Sequence, residues 1–97
     1  MKTCDLAISN ALGLHARAAA KFVHTAGRFT SDIRVARGDR EVDGKSIMGL
    51  LLLAAAQGSA IRISADGPDE HEALAALCAL VERGFDEGPF DTAQGRT

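Results

Sequence analysis

Apolar residues in this chain repeat with a period of two, then with a period near 3.6, and the switch recurs along its length. Thr3–Ser9 alternates, with Cys4, Leu6 and Ile8 on one side and Thr3, Asp5, Ala7 and Ser9 on the other. That pattern predicts a half-buried strand. From Ala16 the spacing changes: Ala19, Phe22, Val23 and Ala26 share one face of a predicted helix, and Gly27 is placed to end it. Alternation returns from Ser31 through Ile33, Val35 and Arg37, and Gly38-Asp39 reads as a hairpin turn into a short strand, Arg40–Asp43.

Ser46 is a natural N-cap for a short helix through about Leu53, and Gln57-Gly58 breaks the chain. Ala60–Asp66 alternates again, with Ile61, Ile63 and Ala65 facing inward. Asp69 and Glu72 form a predicted capping box ahead of a stripe of Ala73, Leu74, Leu77, Cys78, Leu80 and Val81 that runs up to Gly84. From Phe85 onward Gly, Pro and polar residues take over. A domain over residues 1–85 and a flexible C-terminal tail over 86–97 follow.

The order β-α-β-β-α-β-α predicts an α+β open-faced β-sandwich, a four-stranded antiparallel sheet with three helices on one face. With 97 residues there is room for one core, and with four Phe and no Trp or Tyr that core falls to Leu, Ile, Val and Ala. The net charge of −2, without a basic stretch or interleaved aromatics, sets nucleic acid aside as a partner. The longest apolar run, Ile47–Ala56, is half a membrane span and is broken by Gly49. The opening "MKTCDLAIS" has no signal-peptide pattern. Cys4 and Cys78 lie in apolar patterns and read as reduced, buried core residues of a cytoplasmic monomer. The spacing of the histidines and cysteines shows no metal-ligand cluster, and no cofactor is implied.

The stretch "NALGLHARAAAKF" holds the chemistry. His15 falls at the N-cap of the first helix, where the leading amides lack intrahelical partners and the dipole favours an anion. The same field disfavours protonating the imidazole and keeps a ring nitrogen free as a nucleophile. Arg17 can turn its guanidinium fork toward a phosphate on that ring, and the backbone amides of Ala16 and Arg17 can cradle it. Ala16, Ala18, Ala19 and Ala20 leave the approach open to a partner protein. On residues alone a second reading stands beside this one, in which His15 is only a polar cap. Ser46 likewise has a sufficient role as a cap. Its helix is apolar nearly all round, so Leu50 and Leu53 are expected inward and Ile47, Met48 and Leu51 outward, as a docking patch. His24 and His71 read as solvated surface residues.

"GLHARAAAKFV", "GKSIMGLLLLAAAQG" and "ISADGPDEHEALAAL" resemble the active-site segment, the regulatory-serine helix, and the last strand and helix of the HPr family, the histidine-containing phosphocarriers of the phosphoenolpyruvate-dependent phosphotransferase system. The likeness runs from Lys2 to about Val81. It implies that His15 is phosphorylated on Nδ1 by enzyme I and passes the group to enzyme IIA domains, a relay rather than a free-standing catalyst. It implies that Arg17 pairs with the phosphate, and that Ser46 is the site of an HPr kinase/phosphorylase where the organism has one. The face of Ala20, Ile47, Met48 and Leu51 would dock partners. Most members carry proline where this chain has Ala18, which bears on the rigidity of the first turn. The competing function is a small regulatory or metabolite-binding α+β domain in which His15 is a helix cap.

Overall fold

Each change of period marks an element boundary in the computed structural model, which describes residues 1–87. The elements are β1 (Lys2–Ala7), α1 (Ala16–Ala26), β2 (Asp32–Arg37), β3 (Arg40–Asp43), α2 (Ile47–Leu52), β4 (Ala60–Asp66) and α3 (Glu70–Glu82). The strands form one antiparallel sheet in the order β1-β4-β2-β3. This is the open-faced α+β sandwich expected from the sequence. The part of the predicted tail at residues 88–97 lies outside the described residues.

The register makes one face of the sheet apolar. Cys4 lies opposite Ile63, Leu6 opposite Ile61 and Val35 opposite Ile63. Ile33, Val35, Ile61, Ile63 and Ala65 are buried on that face, and the helices cover it with Phe22, Leu50, Leu53, Leu77, Leu80 and Val81. Ala18, Ala19, Ala26 and Ala73 are wholly buried and let the helix backbones approach closely. The other face is solvated. There Arg62 grips Asp5 with two hydrogen bonds, 2.7 and 3.2 Å, which hold the Asp5 carboxyl below its usual range.

Gly38 takes the first central position of the β2–β3 turn at φ +63°, a conformation glycine adopts without steric cost. Arg37 and Arg40 on either side donate to the carbonyls of Leu53 (3.0 Å) and Leu52 (2.7 Å). The hairpin thus caps the C-terminal end of α2 with cations, where the helix dipole favours them.

Four expectations are corrected. β1 stops at Ala7 rather than Ser9, although Ile8 N–H still donates to Ser59 O at 2.9 Å just beyond the last strand pair. Cys4 and Cys78 are free, as expected, but half-buried rather than buried. They neighbour one another between β1 and α3. Burial pushes the Cys78 thiol up to about 12, with the Cys4 thiol adding to the effect. Phe85 is wholly buried, so packed structure runs past it to Asp86 and Glu87.

The capping box does not form. Asp69 is the N-cap of α3 but makes no side-chain cap bond. Its carboxylate instead accepts from Thr30 N–H (2.9 Å), Ser31 N–H (2.9 Å) and the Ser31 hydroxyl, tying the entry of β2 to the start of α3. Glu70 accepts from Gly67 N–H at 3.1 Å. The Ser31 hydroxyl, followed by the Thr30 amide, lowers the Asp69 carboxyl from 3.8 to about 2. A folded-state value depressed in this way contributes stability above the unfolded value and loses it as pH falls through the folded one. Asp69→Asn is therefore expected to melt below wild type at neutral pH. The gap should close as pH falls from 3.8 to about 2, which paired thermal melts across that window check.

Candidate functional site

The histidine is placed by a loop that is clamped at two points. Gly13 adopts φ +68°, and a Cβ there would stand 2.6 Å from the carbonyl oxygen of Ala55. The next residue, Leu14, is buried and donates its N–H to that same oxygen at 2.8 Å. The loop is thereby fastened to the segment that follows α2. His15 comes next in an extended conformation (φ −83°, ψ −179°) as the N-cap of α1, with its carbonyl accepting from Ala19 N–H at 2.8 Å.

The ring orientation follows from its two partners. Nδ1 accepts from the Arg17 backbone N–H at 3.3 Å, so that nitrogen carries a lone pair and the proton sits on Nε2. Nε2–H donates to the carboxylate of Glu87. The other Glu87 oxygen accepts from the Asn10 amide at 2.9 Å, and that amide also donates to Gly13 O at 2.7 Å. The Glu87 side chain is only 4% exposed. Nδ1 thus faces the open N-terminal end of the helix while Nε2 is held from behind.

Ala16 and Arg17 are exposed in the first turn, as is Ala20 one turn on, while Ala18 is wholly buried. The Arg17 side chain lines a groove together with Lys21, Arg28, Arg83 and Asp86, so positive charge dominates beside the histidine although the whole chain is acidic. Arg17, Lys21, His24 and Arg28 follow helical spacing. That polar stripe is a sequence signal for the groove, on the helix face opposite the apolar stripe. Glu87 and Asn10 gave no such signal. Their contact spans 77 residues and depends on how the chain turns after α3. His24 and His71 are exposed, as expected.

Ser46 caps α2 by accepting from Gly49 N–H at 3.0 Å. Leu50 and Leu53 face inward as expected, and Ile47 and Met48 face outward, Met48 at 69% exposure. Leu51 does not join them. It is half-buried against the core, and Leu52, 60% exposed, takes the outward place.

An open-faced sandwich with a histidine capping the first helix, its Nδ1 turned to the helix amides, is the build of a phosphocarrier domain. The chain belongs to the HPr family of the phosphoenolpyruvate-dependent phosphotransferase system: the family model for the PTS HPr component phosphorylation site matches residues 2–83. The phosphocarrier protein HPr of Cupriavidus necator is 52% identical over 84 residues, covering 87% of this chain and 94% of that protein. The crystal structure of HPr-C-His from Thermoanaerobacter tengcongensis matches with a TM-score of 0.88 at 46% identity, over 91% of this chain and 99% of that one. A crystal structure described as an HPr dimer from the same organism matches at 0.70 and 47%, over 88% and 98%.

The loop geometry makes Gly13 the position least open to change. Gly13→Ala would force a left-handed alanine, which costs about 1–2 kcal/mol, and would add a collision with a carbonyl already engaged by Leu14. Denaturant unfolding is expected to show a loss of at least that size. The His15 ring resonances should shift in the same variant, because the clamp that aims the imidazole is the part disturbed.

Proposed function

We propose that the chain is a phosphoryl relay in which His15 accepts the group from phosphorylated enzyme I and passes it to enzyme IIA domains. The observation that carries this reading is the Nδ1 of His15 at the N-terminal end of α1, aimed at the Arg17 backbone N–H as an acceptor. Its lone pair attacks phosphorus, the phosphorus–nitrogen bond of the donor breaks, and the electron pair returns to the donor ring. Handing the group on reverses these events at the acceptor. The amides of Ala16 and Arg17 and the helix dipole favour the phosphate in its bound position, and the Arg17 guanidinium has the fork geometry to grip it. The basic groove beside His15 suits a partner that arrives carrying phosphate and acidic groups. Ala20, Ile47, Met48 and Leu52, with Leu51 beneath them, offer the apolar part of the docking face. The reading takes the chain as a cytoplasmic monomer; among the described residues no helix is long and apolar enough to cross a membrane.

Incubation with phosphoenolpyruvate and enzyme I, followed by intact-mass measurement, tests the relay. Wild type should gain one acid-labile phosphate and His15→Ala should gain none. If the variant still takes up phosphate, His15 is not the acceptor.

Ser46 is proposed as the regulatory site for an HPr kinase/phosphorylase. A phosphate there would meet the N-terminal end of α2 favourably, yet it would place roughly −1.5 to −2 charges at the edge of the Ile47–Met48 patch. A partner covering that patch would have to desolvate the charge or oppose it. Ser46→Asp is expected to keep or slightly raise the melting temperature while slowing phosphorylation of His15. Ser46→Ala should lose about 1 kcal/mol with the cap and leave transfer nearly intact. An Asp variant that transfers at the wild-type rate would leave Ser46 with the capping role alone.

A further inference from the structure

The chain leaves α3 by an unusual path, and that path ends on the active-site ring. Gly84, Phe85 and Asp86 have φ of +65°, +58° and +63°, three successive left-handed residues of which two carry side chains. Left-handed backbone is strained for each non-glycine residue, and such strain persists only where the surroundings enforce it. Here they do. The Phe85 ring is wholly buried, its N–H donates to Leu80 O (2.9 Å), and its carbonyl accepts from Lys21 Nζ (2.8 Å). Glu87 N–H closes the turn on Gly84 O at 3.0 Å. Beyond the buried Phe85 ring, the turn delivers the Glu87 carboxylate between Asn10 and His15.

We propose that Glu87 is a positioning residue for phosphoryl transfer, acting through the imidazole of His15; this rests on the relay reading above. Nδ1 can attack only if it is unprotonated, and the carboxylate at Nε2 holds the proton on the far nitrogen. As the Nδ1–phosphorus bond forms and the donor bond breaks, the ring keeps its Nε2 proton and becomes cationic. The positive end of α1 opposes that charge. The buried Glu87 carboxylate, 4% exposed, offsets it, as a carboxylate behind a functional imidazole does in other sites. Asn10 orients the carboxylate and leaves its second oxygen directed at the ring. No proton has to enter or leave during the transfer.

Long-range nitrogen–proton NMR correlation on the ¹⁵N-labelled full chain, paired with transfer rates from phosphorylated enzyme I, tests the proposal. In wild type the neutral ring should show a protonated Nε2 and a pyridine-like Nδ1. Glu87→Ala should bring the two nitrogen shifts toward each other and slow transfer by about ten- to a hundredfold, the size of loss known for carboxylates behind metal-binding imidazoles. Glu87→Gln keeps an acceptor oxygen without the charge. It should retain the wild-type nitrogen pattern yet transfer more slowly than wild type. Unchanged shifts in Glu87→Ala would overturn the proposal, as would shifts that move without any loss of rate or a Glu87→Gln that transfers at the wild-type rate. A wild-type chain that takes no phosphate overturns the relay reading instead, and the NMR pattern still decides whether Glu87 sets the tautomer.

Discussion

The antiparallel pairing of β1 with β4 decides where everything else can go. Ala7 faces Ala60 at the end of that ladder, so the exit of β1 and the entry of β4 lie side by side. The segment after β1 leads into α1, and the segment before β4 comes from α2. Both must therefore cross the same end of the sheet. The ladder is extended there by Ile8 N–H to Ser59 O and Gly58 N–H to Ile8 O, and then by Leu14 N–H to Ala55 O. A third strand of chain joins them, because the Ser9 hydroxyl donates to Val81 O near the end of α3 at 3.3 Å. The start of α1 and the end of α2 are brought together by backbone hydrogen bonds, and the Ser9 hydroxyl adds the end of α3, before any site chemistry is considered.

That convergence explains which parts of the site could be read from the sequence. The placements of His15 and Ser46 as N-caps were legible because an N-cap is a local event, settled by a few neighbouring residues. Leu51 was misplaced because every residue of Ile47–Leu53 except Gly49 is apolar, and a segment with no polar face has no period to indicate its inner side. Its inner side is settled by tertiary packing, with Leu50 and Leu53 buried and Leu51 against the core. Asp69 failed as a capping box for a related reason. A local cap offers one amide to the carboxylate, whereas Thr30 and Ser31, brought alongside by the β2–β4 pairing, offer three donors. Phe85 was read at the edge of a tail because a left-handed turn leaves no periodic trace, and its neighbours Gly84, Asp86 and Gly88 are residues common in loops.

Charge is arranged against the overall balance of the chain. The net charge is −2, yet the groove beside His15 is lined by Arg17, Lys21, Arg28 and Arg83. Asp86, paired with Arg83, is the acidic group that lines the groove, while Asp5 and Asp32 pair with Arg62 and Arg34 on the sheet. A long-range pull on a phosphorylated partner needs this local asymmetry and gains nothing from the total. One cation in the groove has a second task. Lys21 donates to the carbonyl of Phe85, so a residue of the basic stripe also fastens the turn after α3.

The balance of energies in that turn accounts for its persistence. Two left-handed residues with side chains cost about 2–4 kcal/mol together. Burial of a phenylalanine side chain returns about 1.5–3 kcal/mol, and a hydrogen bond from a charged amine about as much again. The turn is stable, but by a margin no larger than one of its own interactions. Removing either the ring or the lysine contact would leave the left-handed conformation without support, and the carboxylate it carries would return to solvent. The Glu87–His15 contact is thus linked to the packing of Phe85 beneath α1 and α3. The ring nitrogen that faces the solvent is governed from the hydrophobic core.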